Sequence, residues 1–464
     1  MDEFHLLIVG GGPGGIAPLL AAHRMGQLED LLKKGVCVVE KTTVLGAGSI
    51  GGYAINSDSS GRTFTDCLQS EKPTDITRLA HHPLTQRLSA AGDGTVTLHD
   101  AGRFLGLVGE TLATMIAREP ASAVMTSHTA LKAARIDQGW NVEVRDEATG
   151  VRRVLRTRHL VLATGADQPI GRLSGETIGH RSLTELCGDR LIQSGDVLTT
   201  GGLARVADLL GGRAAPKVAI VGGSTSAAAV AHALLHRLPT VTFGNAGITL
   251  LHRRDLRIFY PDRESALHDH YDEWTEEDVC PVSGRVFRLA GFRLDSRELI
   301  MQARGIGGRP PEARLHLHRL TSDDTQAHRI INEADVVVAA LGYRPRVLPL
   351  VACDGTPIDL LVSTGPQQPL VDRQCRVLDA DGRPIASLFG IGLAAGFVPS
   401  GALGGERSFR GQANGLWLWQ HDVGSLIVKA VLRTAKVRGG INISRASTKI
   451  HESDAIGLSA ISAL

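Results

Sequence analysis

Residues Leu6 to Gly15 read L-L-I-V-G-G-G-P-G-G, and no other stretch restricts the fold so closely. An apolar run ending in G-x-G-x-x-G, with Gly10, Gly12 and Gly15 at the three glycine positions, predicts a buried strand turning sharply into a helix. The first glycine permits the tight turn, the second lets a pyrophosphate come close to the main chain, and the third lets the helix pack on the strand. Pro13 and Gly14 complete the turn, and the anion sits at the positive N-terminus of the helix. The residues that follow favour a nucleotide unit over a plain connection. Leu19, Leu20, Leu28, Leu31 and Leu32 share one helical face, and Val36 to Val39 form a second apolar strand ending in Glu40 and Lys41. Glu40 comes later than the usual spacing of about 20 residues. A first helix lengthened by Gln27 to Gly35 accounts for the delay, and a carboxylate there accepts hydrogen bonds from an adenosine ribose.

Further strands end in informative residues. His159 to Gly165, H-L-V-L-A-T-G, closes in Ala163, Thr164 and Gly165, small residues that allow close approach of a cofactor; together with the opening turn they point to FAD. Val218 to Val221 leads into Gly222-Gly223-Ser224-Thr225-Ser226-Ala227 and an alanine-rich helix to Arg237, a second nucleotide unit. The next strand, Ile248 to Leu251, ends in His252, Arg253 and Arg254 rather than in a carboxylate. Two guanidinium groups at that position suit a 2′-phosphate, hence NADPH over NADH, while solvated arginines are the plainer alternative. Asp335 to Tyr343 and Ser387 to Leu393 are the remaining buried strands, and their ends assign Gly342, Gly392 and Leu393 to the cofactor sites.

Between these elements the chain is less explicit. Val44 to Gly61 is rich in Gly and Ser without a sustained period, so it is a loop. Two readings stand: a surface loop, or a segment crossing the flavin ring, with Asn56 and Ser57 as the polar groups at the flavin face. Residues 255–305 are an insertion holding Phe259, Tyr260, Tyr271, Trp274, Phe287 and Phe292, which suits the core of a small helical subdomain better than the wall of a substrate pocket. Gly102 to Arg118 has a helical pattern, Asn141 to Arg145 and Arg152 to Arg156 alternate like a hairpin, and Gly411 to Gln420 reads as the closing helix. His268, Asp269, His270 and Asp272, and separately His316 and His318, lack a third ligand at recognisable spacing, so no metal is expected. The six cysteines include no C-x-x-C, which disfavours a dithiol centre and leaves reduced thiols of a cytoplasmic protein as the expectation. A balance of 50 basic against 48 acidic residues argues against nucleic acid or an anionic membrane as partner. The uncharged run Ala386 to Gly405 carries Pro399 and several glycines and reads as strand and loop, not as a membrane span, and Met1 stands almost at the first strand with no room for a signal peptide.

These residues resemble the flavin-containing monooxygenases with two dinucleotide-binding domains, nearest the branch that N-hydroxylates ornithine or lysine. The resemblance rests on G-G-G-P-G-G at 10–15, V-G-G-S-T-S-A at 221–227 and A-L-G-Y at 340–343, where that branch tends to show A-T-G-Y, and it runs to about residue 425. Phe259 to Leu267 falls where the branch keeps a substrate-contacting stretch. It implies an α/β fold of two Rossmann-like domains: FAD-binding residues 1–200 and 346–435, an NADPH-binding domain of 201–345 inserted between them, and a tail of 436–464. It also implies hydride transfer from NADPH to FAD, reaction with molecular oxygen to a C4a-hydroperoxyflavin, and oxygen transfer to a small-molecule nucleophile, by preference the nitrogen of an amine or amino acid. The oligomeric state is left open. Disulfide reductases share the architecture but need a cysteine pair after Glu40 and usually an aspartate where this chain has Leu393. A reductase or oxidase without oxygen insertion, and a nucleotide-binding regulator that never turns over, are the alternatives.

Overall fold

The computed structural model describes residues 3–433 except 323, 366 and 367. The chain opens with β1 (Glu3–Val9), turns into α1 (Pro13–Arg24), continues through α2 (Leu28–Lys33) and returns along β2 (Val36–Val39), whose four residues are all buried. The expected long first helix is therefore two helices. Gly26, at φ 63°, takes a conformation that a helix cannot contain, and α2 restarts beyond it. The delay before Glu40 comes from this second helix. Then follow α3 (Leu98–Ala117), capped by the Thr97 hydroxyl, and strands β3 (Ala123–Met125), β4 (His128–Ile136), β5 (Gly139–Asp146) and β6 (Arg152–Leu162).

The second sheet occupies the middle of the chain. Its elements are β7 (Leu191–Gln193), α4 (Thr200–Leu210), β8 (Val218–Val221), α5 (Thr225–Arg237), β9 (Ile248–His252), α6 (Leu294–Arg304), β10 (Leu315–Arg319) and β11 (Val336–Ala339). All five strands are parallel, in the order β7-β11-β8-β9-β10. The chain then re-enters the first sheet through β12 (Leu350–Val351), β13 (Arg376–Leu378) and β14 (Pro384–Gly390), and the described residues end in α7 (Gly424–Arg433), the tail expected at 436–464 lying outside them. The parallel core of the first sheet runs β3-β2-β1-β6-β14, with β5 joined antiparallel to the first half of β6 and β4 antiparallel to β5. In both sheets the strand order reverses beside the first strand of the nucleotide unit, between β1 and β6 and between β8 and β11. Open α/β sheets bind ligands at the carboxyl ends of the strands on either side of such a point.

Two further expectations need correction. The closing helix does not span 411–420. Gly415 sits at φ 147°, so helix begins only at Leu416, loosens into a π turn over Trp419–Val423 and runs on to Arg433. It packs on α1, where a side chain at Gly424 would meet the Ala17 carbonyl at 2.8 Å. The aromatic insertion is not a separate helical subdomain either. Tyr260, Tyr271, Phe287 and Phe292 are buried in one core with α5, β8 and β9, and irregular segments are tied by isolated bridges such as Tyr260 to Val286. Its aromatics find their apolar surface on the neighbouring sheet, so they need no core of their own.

Candidate active site

At the end of the first sheet, Gly10 has φ 96°, and a Cβ there would lie 2.3 Å from the Ala163 carbonyl oxygen. Strand β6 thus runs hard against the turn, and only glycine fits. A Cβ at Gly15 would collide with the Gly10 carbonyl, and one at Gly14 would sit 3.1 Å from Gly392. The turn, Ala163 to Gly165 and Gly392 are therefore gathered at one point. Glu40, 6% exposed, accepts the Gly11 N–H at 2.6 Å and the Thr42 N–H at 2.8 Å. Thr164 donates its hydroxyl to the Arg346 carbonyl. Lys41 is exposed. The Val44–Gly61 loop folds back over the turn, with the Gly46 N–H donating to the Gly11 carbonyl and Gly48 packed on Gly12 and Pro13. Helix α1 has no side-chain cap and no acidic residue in its first turn, so its opening donors suit an anion. Two small-residue loops over an uncapped helix, with a buried carboxylate at the next strand, fit the pyrophosphate and ribose of FAD.

The second sheet repeats the device. Gly222, at φ 141°, approaches Ala340 so closely that a Cβ would lie 2.3 Å from its carbonyl oxygen, and Ser224 begins α5 without bonding its side chain back to the helix. Thr225 and Ser226 open the helix, and Gly342 follows β11 at φ 80°. His252 hydrogen-bonds the Arg254 carbonyl through Nδ1 at 2.8 Å. Arg253 pairs with Glu176 at 2.6 Å and donates to the Thr177 carbonyl, whereas Arg254 is exposed. Sequence reasoning missed two neighbours. Arg172 Nη1 and Arg344 Nη2 are buried and have no partner among the described residues. Burial lowers the proton affinity of both, and the Arg172 charge adds to the effect at Arg344. A buried donor left unpaired costs about 1–3 kcal/mol, so the phosphates of a dinucleotide fit this set as the missing acceptors.

Both crevices adjoin one cleft of about 2340 Å³. Ser57, Asp58 and Leu393 line it from the first sheet's side, Ser224 to Ser226, Arg253, Arg254 and Gly342 from the second, and Phe259 and Arg293 from the insertion. Asn56 is spent elsewhere: its amide donates to Asp295 and accepts from Arg237, both at 2.7 Å, tying the loop to α6 and to the end of α5. Ser57 Oγ accepts the Ser59 N–H at 2.9 Å, which shapes the turn that presents Asp58. Burial pushes the Asp58 carboxyl up to about 6, opposed by Arg293 and the Thr225 hydroxyl and reinforced by Asp295. Arg293 lies 3.9 Å from the centre of the Phe259 ring, and burial pulls it down to about 10. Asp58 directly follows the two loop residues picked from the sequence. What singles it out is Arg293 and Thr225, far along the chain.

Two glycine-turn crevices, with a cleft reached from one by the Val44–Gly61 loop and Leu393 and from the other by Gly222 to Ser226, define a two-dinucleotide flavoprotein. A family model described as pyridine nucleotide-disulphide oxidoreductase matches residues 4–278, and the chain belongs to that family. A protein of Streptomyces rubellomurinus named CMP-5'-(3-aminopropyl)phosphonate hydroxylase is 33% identical over 462 residues, which cover 95% of this chain and 100% of the relative. The ornithine N-hydroxylase of Kutzneria sp. 744, in a structure with reduced FAD, NADP+ and L-ornithine, superposes with TM-score 0.51 at 15% identity, covering 94% of this chain and 100% of that one. The L-lysine 6-monooxygenase of Pseudomonas syringae gives 0.51 at 17% identity, covering 93% and 100%. The chain is thus an FAD-dependent oxidoreductase of the flavin hydroxylase kind. All six cysteines are free thiols, five of them buried. No helix among the described residues is long and apolar enough to cross a membrane.

Proposed function

We propose that the protein is an NADPH-dependent N-hydroxylase of a small primary amine. The observation that carries this reading is the shared cleft, where a carboxylate, Asp58, stands between the loop over the first nucleotide turn and the helix that opens the second. The named activity of the Streptomyces relative, whose substrate carries an aminopropyl group, supports it.

Bound FAD, reduced by the nicotinamide cofactor, supplies the oxygen-activating chemistry. The turn at 10–15, Glu40 and Ala163 to Gly165 hold its adenosine diphosphate. The turn at 222–226 holds the second pyrophosphate, with Arg253 and Arg254 on the 2′-phosphate and Arg172 and Arg344 as further phosphate donors. Asp58 meets the substrate ammonium and accepts its proton, which frees the nitrogen lone pair for reaction. Its raised proton affinity narrows the gap to an alkylamine of pKa about 10. Leu393, Phe259 and Leu341 line the cleft as apolar surface that limits water.

The test is to reduce the holoenzyme anaerobically with NADPH and with NADH, then admit isotopically labelled dioxygen with a panel of primary amines. Fast reduction by NADPH and label in a hydroxylamine product are expected. Reduction followed only by hydrogen peroxide release across the panel favours the oxidase alternative, and a flavin that neither cofactor reduces favours a regulator.

A further inference from the structure

A second group of arginines lies outside the residues assigned above to the two dinucleotide crevices. Arg257, Arg285, Arg288 and Arg293 all belong to the insertion and all line the cleft. Three are held against aromatic rings: Arg293 over Phe259 at 3.9 Å, Arg257 over Phe287 at 5.0 Å and Arg288 over Trp417 at 5.8 Å. A guanidinium fixed by its face keeps its N–H edge for a planar or tetrahedral anion. Main-chain acceptors set two of them further, since Arg293 donates to the Arg288 carbonyl at 2.5 Å and Arg288 to the Leu403 carbonyl at 2.6 Å.

The carboxylates nearby are mostly committed. Both oxygens of Glu406 accept the N–H groups of Leu289 and Ala290. Asp278 accepts from Thr275 and from the Ser408 hydroxyl and stands 3.9 Å from Arg257. Asp422 lies 4.0 Å from Arg288, and Asp58 faces Arg293. Arg285 is exposed and has no carboxylate partner among the described residues, and its charge bears on Arg293. Amine oxygenation by itself gives no reason for four guanidinium groups on one wall. An anionic group at the other end of the substrate does.

We propose that Arg257, Arg285, Arg288 and Arg293 form a phosphoryl subsite, and that the substrate is an amine joined through a short chain to a phosphonate or phosphate ester. This rests on the N-hydroxylase reading for the role of the amine but not for the anion site itself. Each guanidinium donates to phosphoryl oxygens, and the charge-assisted contacts anchor the molecule while its amine reaches Asp58. The aminopropylphosphonate in the name of the Streptomyces relative has this chemistry.

The experiment uses FAD-loaded enzyme saturated with NADP+ and titrates it with CMP and with methylphosphonate. Binding of CMP in the presence of NADP+ is expected, weakened about 10- to 100-fold in Arg285→Gln and similarly in Arg257→Gln. In turnover, Arg285→Gln should raise KM for a CMP ester of 3-aminopropylphosphonate at least about tenfold while KM for 3-aminopropan-1-ol, which carries no phosphoryl group, moves less than about twofold. CMP excluded by NADP+, or bound equally by wild type and both variants, overturns the subsite. Flavin content of each variant, read from its absorption spectrum, separates loss of the subsite from loss of the fold. A wild-type enzyme that binds CMP but hydroxylates no amine leaves the subsite standing and removes the hydroxylase reading.

Discussion

The two sheets solve the same problem with the same backbone and diverge at a single strand end. Gly10 against Ala163 and Gly222 against Ala340 are equivalent close approaches, each with a Cβ-to-carbonyl distance of 2.3 Å, and Gly165 and Gly342 follow the paired strands at φ 75° and 80°. After β2, however, the chain places Glu40, buried and bonded to the Gly11 and Thr42 amides. At the end of β9 it places His252, followed by Arg253 and Arg254, the last two exposed. In the proposed reading the comparison separates two jobs: glycines and small residues would admit a pyrophosphate in either sheet, and the charge at the next strand end would select which ribose lies beyond it.

The most damaging break is Gly12→Val. A Cβ there meets Gly48 at 3.4 Å, and the branched methyls project into the space between the two glycine-rich loops. Nearly complete loss of bound flavin is expected, read from the ratio of flavin to protein absorbance. Full occupancy would mean that the first turn is only a connection. Next in size is the double change Arg253→Ala with Arg254→Ala, which should raise KM for NADPH about 10- to 100-fold and leave NADH within about threefold. Equal loss with both cofactors would erase the proposed difference between the strand ends. Arg253 already pairs with Glu176, so Arg254→Ala alone should account for more of the effect than Arg253→Ala alone.

Asp58 sharpens the comparison, because it joins the two halves. Wild-type hydroxylation should fall as pH drops through about 6, where this carboxyl takes up its proton. Asp58→Asn should lower kcat and flatten that acid limb. The sign for stability is opposite. The folded carboxyl keeps its proton up to about 6, whereas an unfolded aspartate loses it near 3.9, so the native state is favoured at low pH and loses this contribution as pH rises through that window. Asp58→Asn should therefore be at least as stable as wild type above pH 6, by thermal melts across pH. The smallest expected effect is that of Asn56→Ala, which removes two hydrogen bonds between the loop and the second sheet's helices. A melting temperature lower by a few degrees, with flavin spectrum unchanged, corresponds to about 1–2 kcal/mol. A shifted flavin spectrum would instead return Asn56 to the flavin face.

Much of the fold was legible because its signals are local. A strand buried on both faces must be continuously apolar, and a turn that meets a neighbouring carbonyl at 2.3 Å must be glycine, so β1, β2, β8, β9 and the two turns could be marked from residues a few positions apart. Gly26 and Gly415 show where local reading stopped: each interrupts a helical pattern, and whether a glycine is tolerated or ends the helix depends on a backbone angle that composition does not state.

The chemistry of the cleft was decided by tertiary structure. From the sequence, Asn56, Ser57 and Asp58 were three polar residues in a loop. Packing gave the first to Asp295 and Arg237, left the second shaping a turn, and set the third before Arg293 and Thr225, where burial raises its proton affinity. The unpaired donors of Arg172 and Arg344 likewise come together only in the folded chain, where the charge of one bears on the other. Sequence spacing determines which backbone can form, since sterics and periodicity act over a few residues. Desolvation and Coulomb interactions act through space between residues more than 200 positions apart, and they decided which of the candidate side chains face the cleft.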